Sequence, residues 1–176
     1  SARGTCWGTS AAPTTNCLDE GTHTTGIFTQ PRTGFTGNTS YTYRGYAINS
    51  AGTGYSSDDS FLTLPDQPTA LAFSAVTTTS LTLSWTAPAG GAASYKVERC
   101  QGASCSNFSQ VGTPTTSPFN DSGLTPSTSY TYRVRGTNAT GDGVYSANAT
   151  QVTANIVIPT VTSPTKGAVA ATTATL

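Results

Sequence analysis

A five-residue string occurs twice in this chain, and the distance between its copies constrains the fold more than any other feature. Ser40-Tyr41-Thr42-Tyr43-Arg44 returns as Ser129-Tyr130-Thr131-Tyr132-Arg133, 89 residues later. Each copy is followed by a turn rich in Gly, Asn and Ala and then by a Tyr-Ser pair, Tyr55-Ser56 and Tyr145-Ser146. Two fainter echoes keep nearly the same spacing. Gln67-Pro68-Thr69 answers Ile158-Pro159-Thr160 at 91 residues, and Thr79-Ser80-Leu81-Thr82-Leu83 answers Thr172-Thr173-Ala174-Thr175-Leu176 at 93. Cys6 and Cys100, 94 apart, read as a further pair of landmarks. A period of about 90 matches one β-sandwich and is far longer than the coil of a solenoid. The 176 residues therefore hold about two repeats of material.

Composition then removes several classes of function. Charged residues make up 9% of the chain and the net charge is zero, so no basic field exists to hold nucleic acid and no basic amphipathic stretch to lie on a membrane. No run of 18 apolar residues is present, so membrane insertion as a helix is not expected. Solubility rests on hydroxyls: Thr and Ser supply about a third of the residues, whereas Lys occurs only at positions 96 and 166. Thr favours strands, and 18 Gly and 10 Pro supply turns. Ser1 to Cys6 reads as strand from the first residue rather than as a signal peptide, so a mature or excised segment is expected.

The four cysteines admit three pairings. One close pair per repeat favours Cys6 with Cys17 and Cys100 with Cys105, bridges between chains being the alternative. Zinc is the weaker reading, since the pairs lie in different repeats and no CxxC accompanies them. Each small ring would contribute about 2 to 3 kcal/mol in the loop-entropy picture. Disulfides, with no Met in the chain, point to an extracellular or cell-surface location.

The middle of the chain is the most readable. Leu71 and Phe73 alternate in one strand, Leu81, Leu83 and Trp85 in a second, and Tyr95, Val97 and Arg99 in a third. Shorter strands are expected over Phe108 to Val111 and Ser117 to Ser122, and a last one over Tyr145 to Thr153. In the Tyr-x-Tyr-Arg strand, Tyr130, Tyr132 and Val134 are expected to face inward and Arg133 and Arg135 to face water. No helical periodicity competes, so the fold class is all-β. Trp85 followed by a Pro-containing turn, Tyr95-Lys96-Val97-Glu98, and Leu124-x-Pro126-x-Thr128-x-Tyr130 with Val134 together resemble a fibronectin type III domain over Pro68 to about Thr153. That resemblance implies a tyrosine corner at Tyr130. Residues 1–64 resemble a divergent cousin from bacterial secreted repeat proteins, with Tyr41 at the place of Tyr130, Phe35 and Gly37 where Leu124 and Pro126 stand, and Gly45 for Val134.

Aligning Cys6 on Cys100 places the start of the chain in the third strand of a sandwich. Three segments follow: 1–64, a sandwich lacking its first two strands; 65–154, a complete fibronectin type III-like sandwich; and 155–176, the first two strands of a next repeat. A missing strand pair leaves open edges and bare core, and a spare pair is unstable alone. The expectation is tandem sandwiches in which the tail of a neighbouring unit, carrying Pro159, Val161, Val169 and Leu176, completes the head by strand complementation. Such joining does not close and builds a fibre. A longer chain of near-identical repeats would show the same register.

Chemistry has little purchase. The single histidine, His23, lies in a polar turn, and no nucleophile is placed beside a base, so the chain is read as no enzyme, with no catalytic residue, metal or cofactor. Asp19-Glu20 and Asp58-Asp59 are adjacent acids in turns without the alternation of a calcium loop. Gly141-Asp142-Gly143 lacks the Arg of an adhesion motif and reads as a tight turn. Trp7, expected in a loop, and Tyr46 and Tyr55 read as core or hairpin packing, the alternative being rings that stack on glycans or pack between units. Acceptor sequons for N-linked glycosylation stand at Asn38, Asn107, Asn120, Asn138 and Asn148. The function these readings favour is a structural subunit of an extracellular filament, sheath or adhesive fibre, whose partners are copies of itself and glycans. The alternative is a spacer or carbohydrate-binding module of a secreted polysaccharide-degrading enzyme.

Overall fold

The structure is a computed structural model that describes residues 2–21, 26–29 and 31–161. Among these residues every regular element is a strand: β1 (Ala2–Gly8), β2 (Cys17–Asp19), β3 (Ser40–Asn49), β4 (Gly52–Tyr55), β5 (Asp59–Leu62), β6 (Thr69–Ser74), β7 (Ser80–Thr86), β8 (Ser94–Gln101), β9 (Ser109–Gly112), β10 (Phe119–Ser122), β11 (Ser129–Asn138), β12 (Gly141–Asp142) and β13 (Ala149–Val152). They form three antiparallel sheets.

The second half is a sandwich. Sheet β10-β7-β6 covers sheet β9-β8-β11, whose outer edge carries β12 and β13. Alternation places Leu81, Leu83 and Trp85 of β7 against Tyr95 and Val97 of β8 and Tyr130, Tyr132 and Val134 of β11, with Leu124 closing the end. Leu83, Val97, Tyr132 and Val134 are wholly buried. Burying each such side chain stabilises the fold by about 1.5 to 3 kcal/mol, and the period-two pattern is what aims them at one interior.

The first half repeats one layer of this arrangement. Sheet β2-β1-β3, with β4 and β5 on the free edge of β3, has the connectivity of β9-β8-β11 with β12 and β13. No counterpart of the β10-β7-β6 sheet faces it among the described residues.

The register corrects one expectation. Cys6 lies opposite Arg44, and Gly8 opposite Thr42. In the sandwich the equivalent Arg133 faces Glu98, and Thr131 faces Cys100. Cys6 therefore occupies the place of Glu98, two residues from the place of Cys100. A slip of two preserves which face every side chain occupies, so alternation alone is blind to it. Trp7 likewise lies inside β1, opposite Tyr43, rather than in a loop, because β3 is long enough to pair with all of β1.

The expected last strand is broken. Tyr145 to Asn148 leave the ladder between β12 and β13, and Ser146 bridges the gap: its N–H donates to Val134 O at 2.7 Å and its Oγ accepts from Val134 N at 3.0 Å. Ser56 does the same for Gly45, at 3.0 and 2.9 Å. The recurring Tyr-Ser pair thus marks where a serine hydroxyl takes the place of a ladder partner and satisfies the N–H of Val134 and of Gly45.

Candidate functional site

Both halves carry one hydrogen-bonded corner. The Tyr130 hydroxyl accepts from Thr125 N at 3.0 Å, and the Tyr41 hydroxyl accepts from Thr36 N at 3.0 Å. Thr153 Oγ1 donates to Thr125 O and accepts from Thr128 N, and Thr63 Oγ1 donates to Thr36 O and accepts from Thr39 N. Ser127 and Asn38 occupy matching left-handed positions, with φ of 51° and 49°. Asn adopts that conformation more readily than Ser.

Beside its corner the first sheet presents an aromatic face. Phe35 packs at 4.8 Å from Tyr41, 5.2 Å from Phe61 and 6.3 Å from Trp7, ring centre to ring centre, and Tyr43 lies 6.0 Å from Phe61. Arg32 lies over the Trp7 ring at 5.1 Å and hydrogen-bonds the Thr5 hydroxyl. An open cavity of about 420 Å³ is lined by Thr5, Cys6, Trp7, Arg32, Phe35, Tyr43 and Phe61. By register, Tyr41 and Tyr43 match Tyr130 and Tyr132, which are buried in the sandwich core. The environment of the second pair differs sharply. Burial and the Asp121 carboxylate push the Tyr132 phenol far above its ordinary range, and its hydroxyl donates to Asp121 Oδ2 at 2.7 Å. Tyr43 donates to Asp59 at the surface, at 2.9 Å, and Tyr43 is 37% exposed.

The outer face of the sandwich holds a ladder of charge. Glu98, 8% exposed, accepts from Tyr145 OH at 2.5 Å and from Arg133 Nε and Nη2 at 2.8 and 2.6 Å. Arg133 is clasped between Phe108 at 4.1 Å and Tyr145 at 3.9 Å. Arg135 reaches Asp142 at 3.0 Å, and Lys96 reaches the same carboxylate at 2.9 Å. The two arginines do not simply face water. They are half-buried because Phe108 and Tyr145, from neighbouring segments, supply flat surfaces for their guanidinium planes.

These carboxylates set the acid response. Burial pushes the Glu98 carboxyl up, but bonds from Tyr145 and Arg133 and the charges of Arg133 and Arg135 outweigh it, so it titrates below its ordinary range. The Lys96 bond holds Asp142 low as well, against its desolvation. A folded-state value below the unfolded one means stability that is fully present above the ordinary carboxylate range, about pH 4, and lost as pH falls through the folded values. The urea midpoint is expected to hold from pH 8 to about 5 and to drop below about pH 4, with a shallower drop in Glu98→Gln.

The remaining expected site residues lie as follows. Cys6 and Cys17 form a cross-strand disulfide between β1 and β2, and Cys100 and Cys105 close the loop after β8. Asn107 and Asn148 lie in exposed loops, and Asn120 accepts from Thr82 Oγ1 at 2.8 Å. Asn38 and Asn138 bond each other at 2.9 Å across the chain, a pairing that neither local sequence announces. Tyr46 lies against Gly4, where a Cβ would come within 2.8 Å of its ring, and Tyr55 stacks under Arg44 at 3.8 Å. Asp58 Oδ2 accepts from Ala12 N at 2.6 Å, and Asp19 Oδ1 from Gly21 N at 2.7 Å. Among the described residues no three of His, Cys, Asp and Glu converge as metal ligands. Pro159 and Val161 are exposed in a stretch without regular secondary structure, beside Ile156, Val157 and Ile158. His23, Val169 and Leu176 lie outside the described residues.

Comparison with known proteins gives these features a context. The family model for the fibronectin type III domain matches residues 66–152. The chain is 35% identical over 113 residues to exoglucanase B of Cellulomonas fimi, a match covering 64% of this chain and 10% of the glucanase. It is 44% identical over 73 residues to the poly(3-hydroxybutyrate) depolymerase of Ralstonia pickettii, covering 42% of this chain and 13% of that enzyme. The chain thus spans about a tenth of the length of these relatives. A two-domain fibronectin type III segment of chicken tenascin superposes with a TM-score of 0.57 at 18% identity, over 87% of this chain and 85% of that one, which is a likeness of fold.

Proposed function

We propose, from the premise that residues 66–152 are a fibronectin type III domain, that this chain is a non-catalytic spacer of an extracellular bacterial polymer-degrading enzyme, built of such units in tandem. One observation carries the reading. Related segments occur in a glucanase and in a polyester depolymerase. A glucan offers hydroxyls and sugar ring faces, whereas a polyester offers ester carbonyls and methyl groups, so no single surface reads both. What such enzymes share is a need to hold domains apart. The arrangement of charge supports this, since Glu98, Asp121 and Asp142 of the sandwich are all spent on neighbouring arginines or lysine. The filament expectation therefore yields first place to its alternative.

The test is retention. The chain is expected to stay in the supernatant with both cellulose and poly(3-hydroxybutyrate) particles. Saturable retention on cellulose that Trp7→Ala abolishes would overturn the spacer reading and favour a carbohydrate-binding module.

The aromatic face of the first sheet favours a second reading, completion by a strand pair from a second copy, with Pro159 and Val161 leading that pair in. Sedimentation distinguishes the two: a spacer remains at 17.9 kDa, and a complementing chain forms a concentration-dependent ladder of multiples.

A further inference from the structure

The first sheet and the sandwich meet at a joint built around two asparagine side chains, Asn38 and Asn138. Asn38 Nδ2 donates to Gly90 O at 2.9 Å, and Asn38 Oδ1 accepts from Asn138 Nδ2 at 2.9 Å. The same Asn138 amide donates to Thr63 O at 2.8 Å, while its oxygen accepts from Thr140 N at 2.9 Å and Gly141 N at 3.3 Å. Thr140 Oγ1 adds a bond to Leu62 O at 3.0 Å. Both amide hydrogens of Asn138 and its oxygen are thereby occupied.

Around this clasp the two halves and the connection between them approach closer than a side chain allows. A Cβ at Gly90, where φ is 77°, would lie 2.1 Å from Gly37 O, and one at Gly143 would lie 2.1 Å from Pro65 O. A Cβ at Gly136 would lie 2.8 Å from Pro65 Cβ. Pro65 is buried between them, and Asp66 Oδ2 accepts from Gly37 N at 3.0 Å. Glycine at these places permits close backbone contact.

We infer that the 62–66 connection is a fixed joint rather than a tether, and that Asn38 and Asn138 lock the first sheet and the sandwich into one rigid body. Neighbouring domains move relative to each other by default unless their interface holds them, and this one is held by polar bonds of fixed geometry and by contacts that sliding would turn into clashes. It follows that Asn38 and Asn138, though both sequons, are consumed by the joint and do not accept sugar in the folded chain. The inference goes beyond the spacer reading and does not depend on it, since it concerns only how the two halves are held.

Residual dipolar couplings of the whole chain test it. Couplings from β1 and β3 and from β8 and β11 are expected to fit one common alignment tensor of equal magnitude. In Asn138→Asp the turn acceptor remains, but the donor becomes an oxygen aimed at two acceptors, Asn38 Oδ1 and Thr63 O. Amide shifts of Leu83, Val97 and Val134 are expected to stay in place, showing an intact sandwich, while the common tensor is lost and two of unequal magnitude are required. Two unequal tensors in the unaltered chain would overturn the joint. So would a single unchanged tensor in the variant.

Discussion

Replacing Asp121 with alanine is expected to lower the stability of the sandwich by about 3 kcal/mol, read as a shift in the urea midpoint at constant slope. Asp121, 6% exposed, stands on β10, and its Oδ2 accepts from both Arg99 and Tyr132, each at 2.7 Å. Removing the carboxylate strands a phenol in the core and leaves a guanidinium without its partner. Stranding a buried charge costs about 3 to 5 kcal/mol, and the lower end applies because Arg99 keeps 24% of its side chain in water. Asp121→Asn retains an acceptor for both donors and is expected to cost less, on the order of 1 kcal/mol. Equal losses in the two variants would mean that the charge of Asp121, and not its hydrogen bonds, ties β10 to the opposite sheet.

The second large effect separates the two halves of the molecule. Leu83→Ala removes a wholly buried side chain between the sheets, and a loss of about 2 to 5 kcal/mol is expected from transfer and cavity terms together. Phe61→Ala in the first sheet removes a larger ring, yet it is expected to cost under about 2 kcal/mol, because one side of that ring has no opposing sheet among the described residues. The comparison also probes the first sheet itself. If Phe61→Ala costs as much as Leu83→Ala, the aromatic face is covered in solution, and sedimentation of the same sample shows whether a second copy covers it.

The difference between these residues marks what can be seen in a string of letters. Leu81, Leu83 and Trp85 advertise their burial through alternation, since every second residue of a strand faces the same way. Tyr41 and Tyr43 carry the same pattern as Tyr130 and Tyr132, so the pattern alone assigns them the same interior. Their surroundings are decided by a layer contributed from elsewhere, and a one-sided sheet has the same alternation as one side of a sandwich. Glu98 is a similar case. Its letter reads as a solvent residue on a strand, but Tyr145, Arg133 and Arg135 gather around it and bury it. The arginines could be assigned to the outer face by alternation. That the outer face is itself half-covered depends on Phe108 and Tyr145, which arrive from other segments.

Asn38 and Asn138 show the limit most plainly. Each matches a modification signal of three residues, and each sits in a turn that suits asparagine for local reasons. Their bond joins positions 100 residues apart, and neither turn contains any trace of the other.

The all-β class, the repeat of 89 residues that folds as β3 and β11, and the inward faces of β7, β8 and β11 were legible in the letters alone, because they follow from spacing and from a period of two within one strand. The register that puts Cys6 at the place of Glu98, the burial of Glu98, and the clasp between the two halves came from the folded chain. Those depend on which strands and loops meet. A slip of two residues, or a contact across 100, changes the energy of the fold while leaving every local pattern as it was.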